Sequence, residues 1–260
     1  MLDDDALFAQ DGETFLPTDS AGNPWGELTG GGPVAGLLAR ALERAAGDPD
    51  LFTARLTVDL MRPVPRVPLT IAARPLRSGK RVRTWEVELS TAEHVVTRAV
   101  GQLVSRSPVD GPAAGPAPDF PGPADIPDGH LIPPELELRE GVHDIVQTRW
   151  VQDQRSPRTS RVWLRMPLPL LAGEPLSPLA HVAVLADCIN AAGPLGEIFG
   201  PWINTDITLY LHREMDGEWL GLEIGRDLQP SGIGLAHAKL YDRHGPIGTA
   251  CEAVVVSQFG

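Results

Sequence analysis

The chain has 260 residues, of which 42% are hydrophobic, so it can bury a core as one large domain or two small ones. Its formal net charge of −12 argues against nucleic acid or an anionic membrane surface as the main partner. With two cysteines, an acidic start and no apolar run near the roughly 18 residues of a membrane span, we expect a soluble, cytoplasmic protein without a disulfide framework.

The first half of the sequence predicts a helix followed by antiparallel strands. Apolar residues at positions 34, 37, 38, 41, 42 and 45 have helical spacing, Pro33 suits the first turn, and Gly47 suits the end of the helix. A short edge strand is expected before the helix, at 13–17. Strand-like segments follow at 52–62, 69–78, 81–91 and 95–105. The connections between them are short, which favours antiparallel pairing.

A proline-rich stretch separates the two halves. Residues 107–135 contain too many prolines for a regular helix or a central strand, and they predict an extended linker. Beyond the linker the sequence predicts a helix over 177–192, with Ser177 as the N-cap and Pro178 in the first turn. The strand-like segments of this half lie at 143–151, 158–166, 204–213, 219–227, 233–241 and 247–257.

The two halves are similar to each other. The segment 58–63 is matched by 209–214, about 150 residues later, and each segment follows a helical pattern and leads into further strands. This spacing predicts two copies of a module in which a helix packs on an antiparallel sheet, with a site between them. The predicted fold class is α+β, with an N-terminal module at 1–106, the linker at 107–135 and a C-terminal module at 136–260.

Short motifs in both halves resemble the acyl-CoA thioesterase II family. Those of the first half are Gly31–Gly36 at a helix start, Leu60–Pro63 and Leu76–Gly79. Those of the second half are Leu185–Asp187, Asp206–Arg213 and Gly245–Val256. The resemblance covers nearly the whole chain outside the linker. It implies a double hotdog fold, in which each module wraps an antiparallel sheet around a long helix and the two sheets merge into one.

The resemblance also implies an activity, the hydrolysis of medium- or long-chain fatty acyl-CoA thioesters by water. The reaction needs no metal or redox cofactor, and coenzyme A enters as part of the substrate. In the family an Asp on the second helix, a Thr or Ser at the start of the following strand, and a Gln on the last strand hold the water. A carboxylate accepts the proton of the water, while neutral groups orient it. By the same analogy we expect a homo-oligomer.

The match to these three positions is uneven. Asp187 matches the Asp and has apolar neighbours. A gapless match places Asn204 at the Thr position, with Thr205 one residue away. At the Gln position the gapless match gives Ala253 and a slip of one residue gives Glu252, and only one of the two faces the site because strand residues alternate. With Glu252 there, two carboxyl groups near one water would raise one pKa.

Two further groups are candidates for substrate binding. Arg77, Lys80 and Arg81 belong to a basic cluster that flanks a turn, and they suit the phosphates of coenzyme A unless they form only a solvated hairpin. Gly31 and Gly32 at the helix start offer backbone N–H groups that can polarise a thioester carbonyl, with a plain turn as the alternative.

Two other functions remain open beside thioester hydrolysis. If the Gln position is unfilled, the chain is a non-catalytic acyl or acyl-CoA binding protein with the same fold. A hydratase or dehydratase on this scaffold needs a His base beside an acid, and neither helix start supplies one. The sequence contains no Gly-x-Ser-x-Gly elbow, no zinc-ligand spacing and no nucleotide-binding loop.

Overall fold

The computed structural model describes residues 4–110, 120–136, 138–194 and 202–256. Residues 111–119 of the predicted linker and residue 257 of the last predicted strand lie outside these ranges. The helices are α1 (Gly31–Ala46), α2 (Val142–Ile145), α3 (Pro178–Ala186) and α4 (Cys188–Ala192). The strands are β1 (Phe8–Asp11), β2 (Thr14–Pro17), β3 (Gly22–Asn23), β4 (Gly26–Thr29), β5 (Leu51–Asp59), β6 (Leu69–Ser78), β7 (Val82–Ser90), β8 (Val95–Ser105), β9 (Gln147–Gln152), β10 (Ser160–Arg165), β11 (Trp202–Asn204), β12 (Asp206–Leu211), β13 (Leu220–Leu228), β14 (Ile233–Asp242) and β15 (Gly245–Val256).

Thirteen of these strands form one continuous antiparallel sheet. Its order is β1-β2-β6-β7-β8-β5-β12-β15-β14-β13-β10-β9, with β11 also pairing with β15, while β3 and β4 form a separate hairpin. The two halves of the chain meet at the β5–β12 pair. The helices α1 and α3 pack against each other, and α1 packs against β6, β7 and β8. The expected α+β double hotdog is confirmed.

The register of the β5–β12 pair shows how the two halves are related. Thr57 on β5 pairs with Thr208 on β12, and their hydroxyl oxygens lie 3.4 Å apart. The repeat predicted from the sequence aligns the same two residues, at an offset of 151 positions. When a residue of one half pairs with the equivalent residue of the other half, a two-fold axis passes between them. The repeat is therefore a pseudo-two-fold symmetry whose axis passes between these threonines.

Helix α1 forms where the apolar spacing predicts it. Gly30 is its N-cap, Pro33 lies in its first turn, and Gly47 ends it in the left-handed region with a φ of 58°. A Cβ at Gly36 would overlap the side chain of Val184 on α3. The small residue therefore lets the two central helices approach each other closely.

Two predicted elements differ in the structure. The helix predicted over 177–192 is divided into α3 and α4 at Asp187, a break of one residue that leaves the apolar periodicity unchanged. The strand predicted over 143–151 begins as the helical turn α2 and becomes β9 only at Gln147. The Asp144 carboxylate caps this turn by accepting a hydrogen bond from the Gly141 N–H at 3.0 Å.

The described part of the predicted linker packs along the C-terminal module. The Phe120 ring stacks on Tyr241, with centroids 4.5 Å apart, and meets Trp163 edge-on at 5.0 Å. The Trp163 indole N–H donates to the Pro121 carbonyl at 2.7 Å. Leu131, further along, is buried in the core. Within the described ranges no helix is long and apolar enough to cross a membrane.

Candidate active site

A cavity of about 310 Å³ opens at one end of the β5–β12 pair, and we call it the Asp187 cavity. Its walls come from both halves of the chain and from the segment after β8. Most of its lining is apolar, including Trp25, Leu28, Leu60, Val64, Leu131, Ile132, Val142 and Trp202. Its polar lining includes Arg62, His143, Asp187, Asn190, Asn204, Thr205 and Arg226. A mostly apolar cavity with a few polar side chains is typical of a small-molecule site.

Asp187 lies in the break between α3 and α4, where it faces the start of α1. Its Oδ2 accepts a hydrogen bond from the Gly32 N–H at 2.7 Å, and its Oδ1 accepts one from the Asn204 amide at 2.8 Å. A Cβ at Gly31 would lie 2.5 Å from Oδ1, so this glycine makes room for the carboxylate. Burial raises the pKa of Asp187, and the two hydrogen bonds oppose that rise.

Glu252, and not Ala253, faces the interior of the sheet. Burial alternates along β15, so that Glu252 is fully buried and Ala253 is exposed. The Oε2 of Glu252 accepts a hydrogen bond from the Asn190 N–H at 3.0 Å, and its Oε1 lies 3.5 Å from the Asn204 amide nitrogen. Of the two alternatives at the Gln position, the strand orientation selects Glu252.

Asp187 and Glu252 meet at the same amide group of Asn204. Burial raises the pKa of Glu252 well above its usual range, and the charge of Asp187 raises it further. Burial raises the pKa of both carboxyl groups, but Asp187 accepts a close hydrogen bond on each oxygen, which opposes the rise. Glu252 is therefore the carboxyl group that more readily holds a proton. A protonated Glu resembles Gln in size, with one carbonyl oxygen and one donor group.

Thr205 does not join these residues at the centre of the site. Its hydroxyl donates to the Ala253 carbonyl at 3.2 Å, and the residue is exposed at the cavity rim. Thr205 lies in the bend between β11 and β12, and there its hydroxyl turns to the Ala253 carbonyl and not to Asp187. The structure brings Asn204 to Asp187.

The predicted basic cluster lies far from the cavity. Arg77, Lys80 and Arg81 surround the turn between β6 and β7, where the Arg81 carbonyl accepts a hydrogen bond from the Ser105 N–H. Ser105 pairs with Leu51 at the start of β5, whereas the cavity lies at the opposite end of β5. None of the three basic residues lines the cavity.

Three polar residues of the cavity were missed by the sequence-based assignment. Asn190 binds Glu252 through its N–H and the Trp202 carbonyl through its amide, the latter at 2.9 Å. Arg62 is exposed at the mouth, within the Leu60–Pro63 motif that the sequence had singled out without a role for this side chain. Arg226 on β13 donates to the Asn190 carbonyl at 3.3 Å.

Several solved structures are similar to the chain. A conserved protein of unknown function with a hot dog fold from Alicyclobacillus acidocaldarius has a TM-score of 0.73 and 19% identity, covering 97% of both chains. The TesB protein of Mycobacterium avium subsp. paratuberculosis has a TM-score of 0.68 and 16% identity, covering 96% of both chains. The acyl-CoA thioesterase II TesB2 of Mycobacterium marinum has a TM-score of 0.67 and 16% identity, covering 87% of this chain and 90% of its own. These likenesses support the fold.

Two family models together match nearly the whole chain. No curated protein matches the sequence significantly. The model of the acyl-CoA thioesterase N-terminal domain matches residues 19–104, and that of the acyl-CoA thioesterase C-terminal domain matches residues 111–256. The second match alone spans more than half of the sequence, and the chain therefore belongs to the acyl-CoA thioesterase family.

Proposed function

We propose that the protein hydrolyses acyl-CoA thioesters with medium- or long-chain acyl groups, by direct attack of water in the Asp187 cavity. The observation that carries the proposal is the Asp187 carboxylate, held by the Gly32 N–H and the Asn204 amide against a mostly apolar cavity. A positioned carboxylate is the group that general-base hydrolysis requires. Membership of the acyl-CoA thioesterase family supports acyl-CoA as the substrate.

In the proposed reaction Asp187 acts as the general base. It accepts a proton from water while the water oxygen bonds to the thioester carbonyl carbon. The tetrahedral intermediate then collapses, the C–S bond breaks, and the proton passes to the departing sulfur. The products are the free acid and coenzyme A with its thiol. The raised pKa of Asp187 makes it a stronger base, and its two hydrogen bonds hold it in position.

Gly31 and Glu252 complete the proposed machinery. The Gly32 N–H is engaged by Asp187, but Gly31 occupies the first helical position, where an N–H has no acceptor within the helix. Gly31 also lines the cavity, so its N–H is the candidate donor to the thioester carbonyl. Protonated Glu252 orients the water as the Gln of the family does, and this accounts for the departure at that position.

The acyl chain and the coenzyme A part of the substrate suit different parts of the cavity. The apolar walls suit the acyl chain, which is thereby removed from water. Arg62 is exposed at the mouth and has no carboxylate partner among the described residues, so it suits a phosphate of coenzyme A. Contact of Arg77, Lys80 and Arg81 with coenzyme A stays a prediction.

Release of free thiol from a panel of acyl-CoAs, from butyryl to palmitoyl, tests the proposed function. The wild-type protein is expected to hydrolyse members of the panel, and Asp187→Asn is expected to bind them without hydrolysis. Equal hydrolysis by both proteins would reject Asp187 as the base. Tight binding by the wild-type protein with no release of thiol would instead establish a non-catalytic acyl-CoA binding protein.

A further inference from the structure

Besides Arg62, a second arginine lines the Asp187 cavity: Arg226 donates to the carbonyl of Asn190, whose N–H binds Glu252. Arg226 lies on β13, where burial alternates and Leu222 and Ile224 are fully buried on the inner face. Because strand residues alternate between faces, Arg226 lies on the same inner face as Leu222 and Ile224, which are apolar. A charge removed from water in this way is costly unless it has a partner of opposite sign.

Arg226 has no carboxylate partner among the described residues. Its Nη1 donates to the Asn190 carbonyl at 3.3 Å, while its Nε and Nη2 are buried without an acceptor. Burial lowers the pKa of Arg226, and no neighbouring charge offsets that effect. By contrast, the partly buried Arg161 on β10 holds the Glu223 carboxylate at 2.7 Å. The guanidinium of Arg226 therefore retains donors for an anion that the described residues do not provide.

Arg226 and Glu252 lie in one row across three strands. Arg226 pairs with Ala236 on β14, and Ala236 pairs with Glu252 on β15. Neighbouring strands are about 4.8 Å apart, so the two backbones are separated by roughly 10 Å. The equivalent row of the first half has Trp85 in place of Ala236 and Gly101 in place of Glu252. Ala236 is fully buried, and α4 packs on its strand β14.

We propose that Arg226 is a specificity residue that binds a carboxylate at the far end of the acyl group, so that the preferred substrates are CoA thioesters of dicarboxylic acids. This inference rests on the proposed function and narrows its acyl class. A guanidinium forms paired, charge-assisted hydrogen bonds with a carboxylate. With the thioester carbonyl at Asp187, the methylene groups of the acyl chain cross the apolar cavity and bring the carboxylate to Arg226. Because Nε and Nη2 are buried, the proposal includes a turn of this side chain that brings Nη2 to the carboxylate.

The phosphates of coenzyme A are a second source of negative charge, and the position of Arg226 argues against them. Arg62 is exposed at the mouth, where a hydrated phosphate can remain in water. Arg226 is partly buried, and its Nε and Nη2 have no exposed surface. A carboxylate on an acyl chain that enters the cavity suits this environment better than a phosphate does.

Paired substrates of equal chain length test the inference. Adipyl-CoA is compared with hexanoyl-CoA, and suberyl-CoA with octanoyl-CoA, in the wild-type protein and in Arg226→Met. The wild-type protein is expected to prefer the dicarboxylic member of each pair. Arg226→Met is expected to lower kcat/KM for that member about tenfold or more relative to the monocarboxylic member, so that the ratio within each pair falls. Arg161→Met is the matched control, because Arg161 pairs with Glu223 outside the cavity, and it should leave both ratios unchanged.

A binding measurement separates this inference from the proposed function. Titration of adipyl-CoA and hexanoyl-CoA into Asp187→Asn, with and without Arg226→Met, reports the preference without hydrolysis. If no acyl-CoA is hydrolysed by the wild-type protein, the proposed function fails, yet an Arg226-dependent preference for adipyl-CoA still supports the carboxylate site.

Three outcomes would overturn the inference. The first is a wild-type protein that prefers hexanoyl-CoA to adipyl-CoA in both kcat/KM and binding, a result that requires no variant. The second is an equal loss for both members of each pair in Arg226→Met, which would place the guanidinium at the phosphates of coenzyme A. The third is no loss for either member in Arg226→Met. If that variant does not fold, the comparison of substrates by the wild-type protein and by Arg226→Lys decides.

Discussion

The protein contains two cavities related by the pseudo-two-fold axis. At one of them two carboxyl groups meet at an amide, with Asp187 in the cavity wall and Glu252 buried behind Asn204. The second cavity, of about 370 Å³, lies at the other end of the β5–β12 pair, and we call it the Glu43 cavity. Eight pairs of lining residues are separated by 151 positions: Leu28 and Leu179, Gly31 and Val182, Leu51 and Trp202, Phe52 and Ile203, Thr53 and Asn204, Leu60 and Leu211, Pro63 and Glu214, and Val64 and Met215. The duplicated scaffold forms the same kind of cavity twice.

A few side chains account for the difference between the two cavities. The position of Glu252 corresponds to Gly101, where a Cβ would overlap the side chain of Leu42 on α1. Leu42 is fully buried and fills the space that a carboxyl group at position 101 would need. In the Glu43 cavity the Glu43 carboxylate accepts a hydrogen bond from the Ser177 hydroxyl at 2.6 Å. The backbone symmetry supplies the cavities, and the side chains decide where hydrolysis is proposed to occur.

Neutralising Asp187 and Glu43 in turn is expected to give the largest contrast between the two cavities. Asp187→Asn should lower kcat by about 10²–10⁴-fold with little change in KM, because general-base catalysis contributes on that scale. Glu43→Gln should leave kcat unchanged, because Glu43 lies at the other end of the β5–β12 pair. Steady-state thiol release measures both. A comparable loss in the two variants would show that the cavities do not differ in the proposed way.

The packing of Leu42 against Gly101 tests the structural side of the comparison. Leu42→Ala should lower the free energy of unfolding by about 2–5 kcal/mol, since it removes a fully buried side chain. Gly101→Ala should lower it by about 1–3 kcal/mol, because the added methyl group overlaps Leu42. The double variant should be more stable than the sum of the two losses implies. Strict additivity in urea unfolding would contradict this contact.

The ionisation of Glu252 gives a smaller, pH-dependent effect. Its pKa is raised in the folded protein, so the folded state holds a proton that the unfolded state releases. The stability that protonated Glu252 contributes is present in full below the unfolded carboxyl pKa of about 4.3, and it is lost as pH rises toward and through the raised folded value. Glu252→Gln should therefore gain stability relative to the wild-type protein as pH increases.

Urea unfolding of the wild-type protein and of Glu252→Gln, from about pH 5 to about pH 9, measures this difference in stability. The rate of thioester hydrolysis should also fall at high pH in the wild-type protein and persist in Glu252→Gln, because the amide cannot lose the donor that orients the water. Parallel stability curves with identical rate profiles would show that Glu252 does not carry a proton in the folded state.

The sequence predicts the parts of the molecule that local pattern determines. The span of α1 and its end at Gly47 follow from apolar spacing and from the freedom of glycine to take a positive φ. The position of Asp187 on the second helix follows from the resemblance, but the break that turns it toward Gly32 does not, because one irregular residue does not alter the periodicity.

Other features of the site depend on long-range register. A one-residue slip exchanges Glu252 and Ala253 between the two faces of β15, and composition does not decide between them. The proximity of Arg226 to Asn190 arises from packing of α4 on β13, two elements that are far apart in the sequence. Such contacts are set by tertiary structure, and a single sequence carries no local signal for them.

The most direct test of the central claim, that Asp187 activates a water and does not itself attack the thioester, is one turnover in water labelled with oxygen-18. The protein is kept in excess over acyl-CoA, and the free acid and the peptide that contains Asp187 are analysed by mass spectrometry. Direct attack of water predicts labelled oxygen in the free acid and none in the Asp187 peptide. Labelled oxygen in that peptide together with an unlabelled acid would demonstrate an acyl–Asp187 anhydride and contradict the claim.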